Sequence, residues 1–262
     1  MENNYSNGLE KALAKTENDV DATLKAANLV VSSLKKIRGA VKTGSLRELK
    51  KTIENAEQAI AALKQQFTNA KEGWNFDSEN YVASRAFPEE LLEMSKSLGV
   101  KIFEQDESLY CYPFLIRILP NELAVQIDKT KEKRLRPSTL VSHLKALQNK
   151  PVRFKPEIFL ESLFSAYETL LKSRGKVQIG KDIVIPLLEI YKLLTLLPGQ
   201  AKEYPRQEFA RDIYLLDRSG VTKTKEGFVL RFSDRGITRH TIRVITQEGR
   251  EKNYYGISFS KD

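Results

Sequence analysis

From Leu9 onward, apolar or small residues recur at alternating steps of four and three: Leu9, Leu13, Thr16, Val20, Thr23, Ala27, Val30, Leu34, Ile37, Val41. A stripe of that period can be buried only by a helix lying alongside another helix. The pattern stops at Lys42-Thr43-Gly44-Ser45 and resumes as Leu46, Leu49, Ile53, Ala56, Ile60, Leu63, Phe67, Ala70, Trp74. Gly44 suits a left-handed helix end, and Ser45 with Glu48 has the spacing of a capping box. Two helices of similar length joined by so short a turn must run antiparallel. Residues 1–75 are therefore expected to form a coiled-coil hairpin about 45 Å long at ~1.5 Å per residue. A rod of this kind holds no pocket, so its expected use is as an arm that docks on a partner or on a second copy, the alternative being that it folds back on its own domain.

The period then changes. Pro88-Glu89-Glu90 opens a short helix that Gly99 stops. Val100–Glu104, Leu109–Ile118 and Glu122–Asp128 alternate as a β-meander, with Pro113 demanding an edge or a bulge. Tyr110, Tyr112 and Phe114 could stack on bases, but aromatic residues in strands are expected in the core. Cys111, the single cysteine, lies in the same apolar run. It excludes an internal disulfide and fits a reducing, cytoplasmic setting. The amino terminus lacks the basic-then-apolar layout of a secretory leader, and no stretch of eighteen uncharged apolar residues suggests a membrane span.

Charge is concentrated at the midpoint. Residues 129–155 carry nine basic groups (Lys129, Lys131, Lys133, Arg134, Arg136, Lys145, Lys150, Arg153, Lys155) against one acid, Glu132, in a chain whose formal net charge is +9. Residues 76–128 carry four basic and ten acidic groups, so internal pairing between the two segments is the competing expectation. Lys129–Arg136 reads as a charged loop and Pro137 to about Gln148 as a helix, with Ser138 among donors suited to phosphate oxygens at a helix start.

A further helix from Pro156 to about Lys172, two short strands around Gly180-Lys181, and an apolar helix from Pro186 to Leu197 follow the order of a winged helix-turn-helix. Its would-be recognition helix carries Glu157, Glu161 and Glu168, which should repel a major groove. Any contact with DNA is expected through the preceding basic stretch and through Arg174, Lys176 and Lys181 on the wing. After a boundary at Gly199–Pro205 come a helix, Arg206 to Leu216, and three strands, Phe228–Phe232, Thr241–Thr246 and Asn253–Phe259. A second basic surface is drawn from Arg231, Arg235, Arg239 and Arg243, at four-residue spacing.

The expected class is mainly α with β (α+β), in three parts: 1–75 as the hairpin, 76–200 as a central mixed domain with the basic hub and a winged-helix-like unit, and 201–262 as a small antiparallel β-rich module. Two histidines and one cysteine cannot supply a zinc cluster, and no phosphate loop, G-x-S-x-G elbow or kinase signature is present, so no catalytic residue, cofactor or metal is expected. The leading expectation is a non-enzymatic subunit that binds the phosphate backbone of duplex DNA without strong sequence selectivity. Its 9–74 hairpin would dock into a larger assembly, a layout that would suit a bacterial DNA-processing or antiviral defence complex. The first alternative is a pure protein–protein interaction subunit. The second is a metal-dependent nuclease using Asp212, Asp217, Asp234, Glu248, Glu251 and Lys252.

Overall fold

The computed structural model describes residues 8–105, 108–149, 154–175, 179, 183–233 and 241–261. It is a mixed α/β chain with a long amino-terminal helical hairpin and antiparallel sheets. No described helix is long and apolar enough to cross a membrane. The fold divides into two compact units. The first takes the chain up to Met94 with Pro120–Leu123 and Arg134–Leu140; the second takes Ser95–Leu119, Ala124–Lys133 and the chain from Val141 on.

In the first unit, α1 (Leu9–Thr43) and α2 (Leu46–Gly73) form the hairpin, followed by α3 (Ser78–Ala83) and α4 (Ala86–Ser97). Gly44 caps α1 at φ 69°, the left-handed conformation that its missing Cβ makes inexpensive. The expected capping box does not form, because Ser45 makes no side-chain cap hydrogen bond.

The seam also differs from the expected one. The seam positions of α1, all buried or half-buried, are Leu9, Thr16, Thr23, Val30 and Ile37, each followed three residues later by Ala12, Asp19, Ala26, Ser33 or Ala40; of the alternate positions expected there, Leu13 and Ala27 are half-buried as well. On α2 they are Leu49, Ala56, Leu63 and Ala70, each followed by Thr52, Ala59, Gln66 or Gly73. Small residues at most of the second seam positions, Asp19 and Gln66 apart, let the helix axes approach closely, since interaxial distance follows the side chains at the contact. Thr16, Thr23 and Thr52 fit there because their hydroxyls donate to the carbonyls of Ala12, Asp19 and Glu48 one turn back. Most of the larger apolar residues expected at the alternate positions are left outside: Val20, Leu34 (52% exposed), Val41, Leu46 (77%), Ile53, Ile60, Phe67 (61%) and Trp74.

The second unit opens with a five-stranded antiparallel meander: β1 (Phe103–Gln105), β2 (Ser108–Cys111), β3 (Phe114–Leu119), β4 (Ala124–Ile127) and β5 (Thr130–Glu132). The expected long middle strand breaks at Tyr112-Pro113, which forms the turn between β2 and β3. The segment expected as a charged loop contributes β5, which pairs Thr130, Lys131 and Glu132 with Ile127, Gln126 and Val125. Then come α5 (Pro137–Gln148), α6 (Pro156–Ser173), β6 (Ile185–Pro186), α7 (Leu187–Leu194), the one-turn α8 (Gln200–Glu203) and α9 (Arg206–Ser219). The last strands are β7 (Phe228–Ser233), β8 (Ile242–Ile245), β9 (Glu251–Tyr254) and β10 (Gly256–Lys261).

Strand β10 lies between β6 and β7, so Ile257 pairs with Ile185 on one side and Phe232 on the other. The core draws on Tyr110 and Leu115 from the meander, Leu163, Phe164 and Tyr167 from α6, Phe209 and Ile213 from α9, and Ile257 and Phe259 from β10. Residues on both sides of the 200/201 division share it. Tyr110, Tyr112 and Cys111 are buried, as expected of aromatic and thiol groups in an apolar strand, and burial pushes the Cys111 thiol up to about 12. The β6–β10 pairing occupies the described end of the expected wing, whose turn at Gly180-Lys181 lies outside the described residues.

Candidate interaction surfaces

The base of the hairpin is held by two carboxylates, each serving a helix start. Glu90 of α4 accepts hydrogen bonds from the backbone N–H groups of Leu9 and Glu10, both at 3.0 Å, and from the Tyr81 hydroxyl at 2.7 Å. Those N–H groups have no partner within α1, so a buried carboxylate there satisfies donors and meets the positive end of the helix dipole. Gly8 makes the approach possible, because a Cβ there would stand 2.3 Å from a Glu90 carboxylate oxygen.

Glu10 does the same for α5. It accepts from the Ser138 backbone N–H at 2.9 Å, from the Ser138 hydroxyl at 3.0 Å and from Arg136 Nε at 2.7 Å. Arg136 also donates to Glu17 at 2.6 Å. Burial pushes the Glu10 carboxyl up, but the Ser138 donors and the Arg136 guanidinium outweigh it and hold it below the usual carboxylate range. Glu17 first, then Glu10, raises Arg136.

The basic stretch is shared between the two units. Arg134, Arg136 and Ser138 belong to the first; Lys129, Lys131, Lys133, Lys145 and Lys155 belong to the second. Lys129, Lys131 and Lys133 alternate along β5 and its flanks, all exposed, and the Lys131 register continues across the sheet through Gln126 to Arg117. Strand β5 is an edge, where lysines also discourage pairing with foreign strands. Lys145 donates to the Leu98 carbonyl at 2.9 Å, and Lys155 is exposed. Lys150 and Arg153 lie outside the described residues, as do Lys176, Lys181, Arg235 and Arg239.

Arg174 is ion-paired with Glu189 of α7. Arg231 is exposed on β7, and Arg243 on β8 stands 4.0 Å from Glu251, so the two lie on different sheets. Helix α6 carries its glutamates outward, with Glu161 accepting from the Lys225 N–H at 2.7 Å, and turns Leu160, Leu163, Phe164 and Tyr167 into the core.

No family model, curated protein or solved structure matches this chain.

The acids considered for metal chemistry are dispersed. Asp212 accepts from Arg211 and, at 2.8 Å, from the Tyr204 hydroxyl. Asp217 is bonded to Lys252 and to the Tyr254 hydroxyl, and Glu248 accepts from the Tyr214 hydroxyl at 3.4 Å. Asp234 lies outside the described residues. Among the described residues, no group of three His, Cys, Asp or Glu side chains is placed to hold a metal ion. An open cleft of about 680 Å³ in the second unit is lined by Lys101, Tyr112, Gln148, Arg218 and Gln247, with no carboxylate among the described lining residues.

Two features escaped the reading of the sequence. In the second unit, Arg211, its side chain 12% exposed, lies between Asp212, 2.9 Å from its Nη2, and Asp128, beside Glu208. Burial pushes the Glu208 carboxyl up, while Arg211 and Lys129 of the basic stretch oppose that shift. Glu208 Oε2 has no hydrogen-bond partner. The other feature is the outer apolar stripe of the hairpin. Its signal was present, since each helix carries two heptad series of which a two-helix rod can bury only one.

Proposed function

We propose that this chain is a non-enzymatic assembly subunit whose hairpin, read as an antiparallel coiled coil, is its docking arm. The observation that carries this reading is the stripe of large apolar side chains along the rod. Of the fourteen large hydrophobic residues exposed among the described residues, eleven lie on α1, α2 and the first residue after them. Soluble surfaces seldom expose contiguous apolar patches beyond a few hundred Å² unless something binds there. Arg136 and Ser138 support the same reading, because their charge and donors are directed at Glu10 and Glu17 of the chain itself.

The test is Ile60→Asp with Phe67→Asp in the full chain. The helical circular dichroism at 25 °C should be unchanged, because neither side chain belongs to the seam. A collapse of helicity would mean that the stripe is part of the chain's own core, and the docking reading would fail.

A second reading, contact with a nucleic-acid backbone, is favoured by the exposure of Lys129, Lys131, Lys133, Arg134 and Lys155. It predicts that log affinity for duplex DNA falls linearly with log salt, and that Lys131→Glu with Lys133→Glu flattens the slope by about two. No mobility shift at low salt would end it.

A further inference from the structure

We infer that the occupant of the apolar stripe is a second copy of this chain, packed head to tail so that two hairpins close into a four-helix bundle. The inference rests on the reading of the hairpin as a docking arm and adds the partner and its direction.

The stripe is one-sided. With the seam at the first and fourth heptad positions, Val20, Leu34 and Val41 on α1 and Leu46, Ile53, Ile60, Phe67 and Trp74 on α2 all fall at the fifth. In an antiparallel pair the fifth positions of both helices flank the same side of the seam. Leu24 and Val31, 56% and 48% exposed, fall at the adjoining second position and widen that side. The opposite side is mostly polar, with Lys11, Lys15, Asn18, Lys25, Asn55, Gln58, Gln65 and Asn69, and Leu29, 63% exposed, is its one large exposed apolar residue among the described residues.

The stripe also complements itself when reversed. About a two-fold axis near Ala27, α1 against a reversed α1 sets Val20 opposite Leu34 and Leu24 opposite Val31, with the small Ala27 meeting its own copy. About an axis near Ile60, α2 against a reversed α2 sets Ile53 opposite Phe67, Leu46 opposite Trp74, and Glu57 opposite Lys64. An antiparallel hairpin turning at Gly44 places Ala27 nearly level with Ile60, so one axis serves both helix pairs.

Charge selects this direction over the parallel one. Arg38, Lys42, Arg47, Lys50 and Lys51 are exposed near the turn, with Glu48 the acid among them. Packing tip to tip would bring two such clusters within a Debye length of about 8–10 Å, whereas head-to-tail packing holds them roughly 40 Å apart. The area is sufficient: a face about 42 Å long and two helices, or ~20 Å, wide offers on the order of 800 Å² per copy, the size of a standard stable interface.

The experiment is sedimentation equilibrium of the full chain with cysteine cross-linking; Cys111 is buried and does not interfere. The expected mass is twice 29.9 kDa at micromolar concentration, and Leu34→Asp with Ile60→Asp should weaken association at least a hundred-fold with helicity intact. Ala27→Cys should oxidise to a disulfide-linked pair, while Leu46→Cys at the tip should not. A monomer with full helicity at about 100 µM overturns the inference and leaves the docking-arm reading standing. A dimer indifferent to the double change, or one linked through Leu46→Cys, also overturns it.

Discussion

Arg136 reaches back across 126 residues of sequence to Glu10, its Nε 2.7 Å from a carboxylate oxygen that belongs to the first turn of the hairpin. With Glu17 as the second partner, the most central cation of the basic stretch is committed to the rod.

That commitment makes stability sensitive to acid. The folded state lowers the Glu10 pKa, so its contribution is present above the ordinary carboxyl range and is lost as pH falls through the depressed value. Arg136→Met should cost about 1 kcal/mol at pH 7, discounted for a pair about one quarter to one third exposed, and should shrink the difference in melting temperature between pH 6 and pH 3. Thermal melts across that range check it. An unchanged acid limb would show that the contact contributes nothing.

Glu90 and Gly8 form one device. Gly8→Ala places a methyl 2.3 Å from the carboxylate, so either the α1 start or Glu90 must move. We expect a loss of about 1–3 kcal/mol, as when a buried carboxylate loses its donors. Glu90→Gln should lose less than Glu90→Ala, because an amide oxygen still accepts from Leu9 and Glu10. Denaturant midpoints of the three variants give the order.

Glu208 acts with the opposite sign from Glu10. Burial raises its pKa, so its stabilising contribution is complete below the ordinary carboxyl range and is lost as pH rises through the raised value. Glu208→Gln mimics the protonated form and should flatten the fall in melting temperature above pH 5. A wild-type-like slope in the variant would rule Glu208 out as the titrating group.

Gly256 lies where β10 pairs with β6, and a Cβ there would meet the Ile185 carbonyl oxygen at 2.6 Å and Val184 Cγ1 at 2.7 Å. Backbone cannot swing aside as a side chain can. Gly256→Ala should cost on the order of 2–3 kcal/mol and expose the second unit's core, read as a lower denaturant midpoint with increased dye binding.

The helical hairpin, its turn at Gly44, most of the helices and the burial of Tyr110, Cys111 and Tyr112 were legible in the residues, because periodicity and local backbone preference are properties of neighbours in the chain. Which of two apolar series the rod buries was not. Both have the heptad period, and the choice fell to the series whose alternate members Ala12, Ala26, Ala40, Ala59 and Gly73 allow close approach. The basic stretch was visible as a density of charge, but only tertiary structure could divide it between units and direct Arg136 to Glu10 and Glu17. An ion pair across 126 residues leaves no periodic trace, since it depends on where the backbone returns and how much water it excludes.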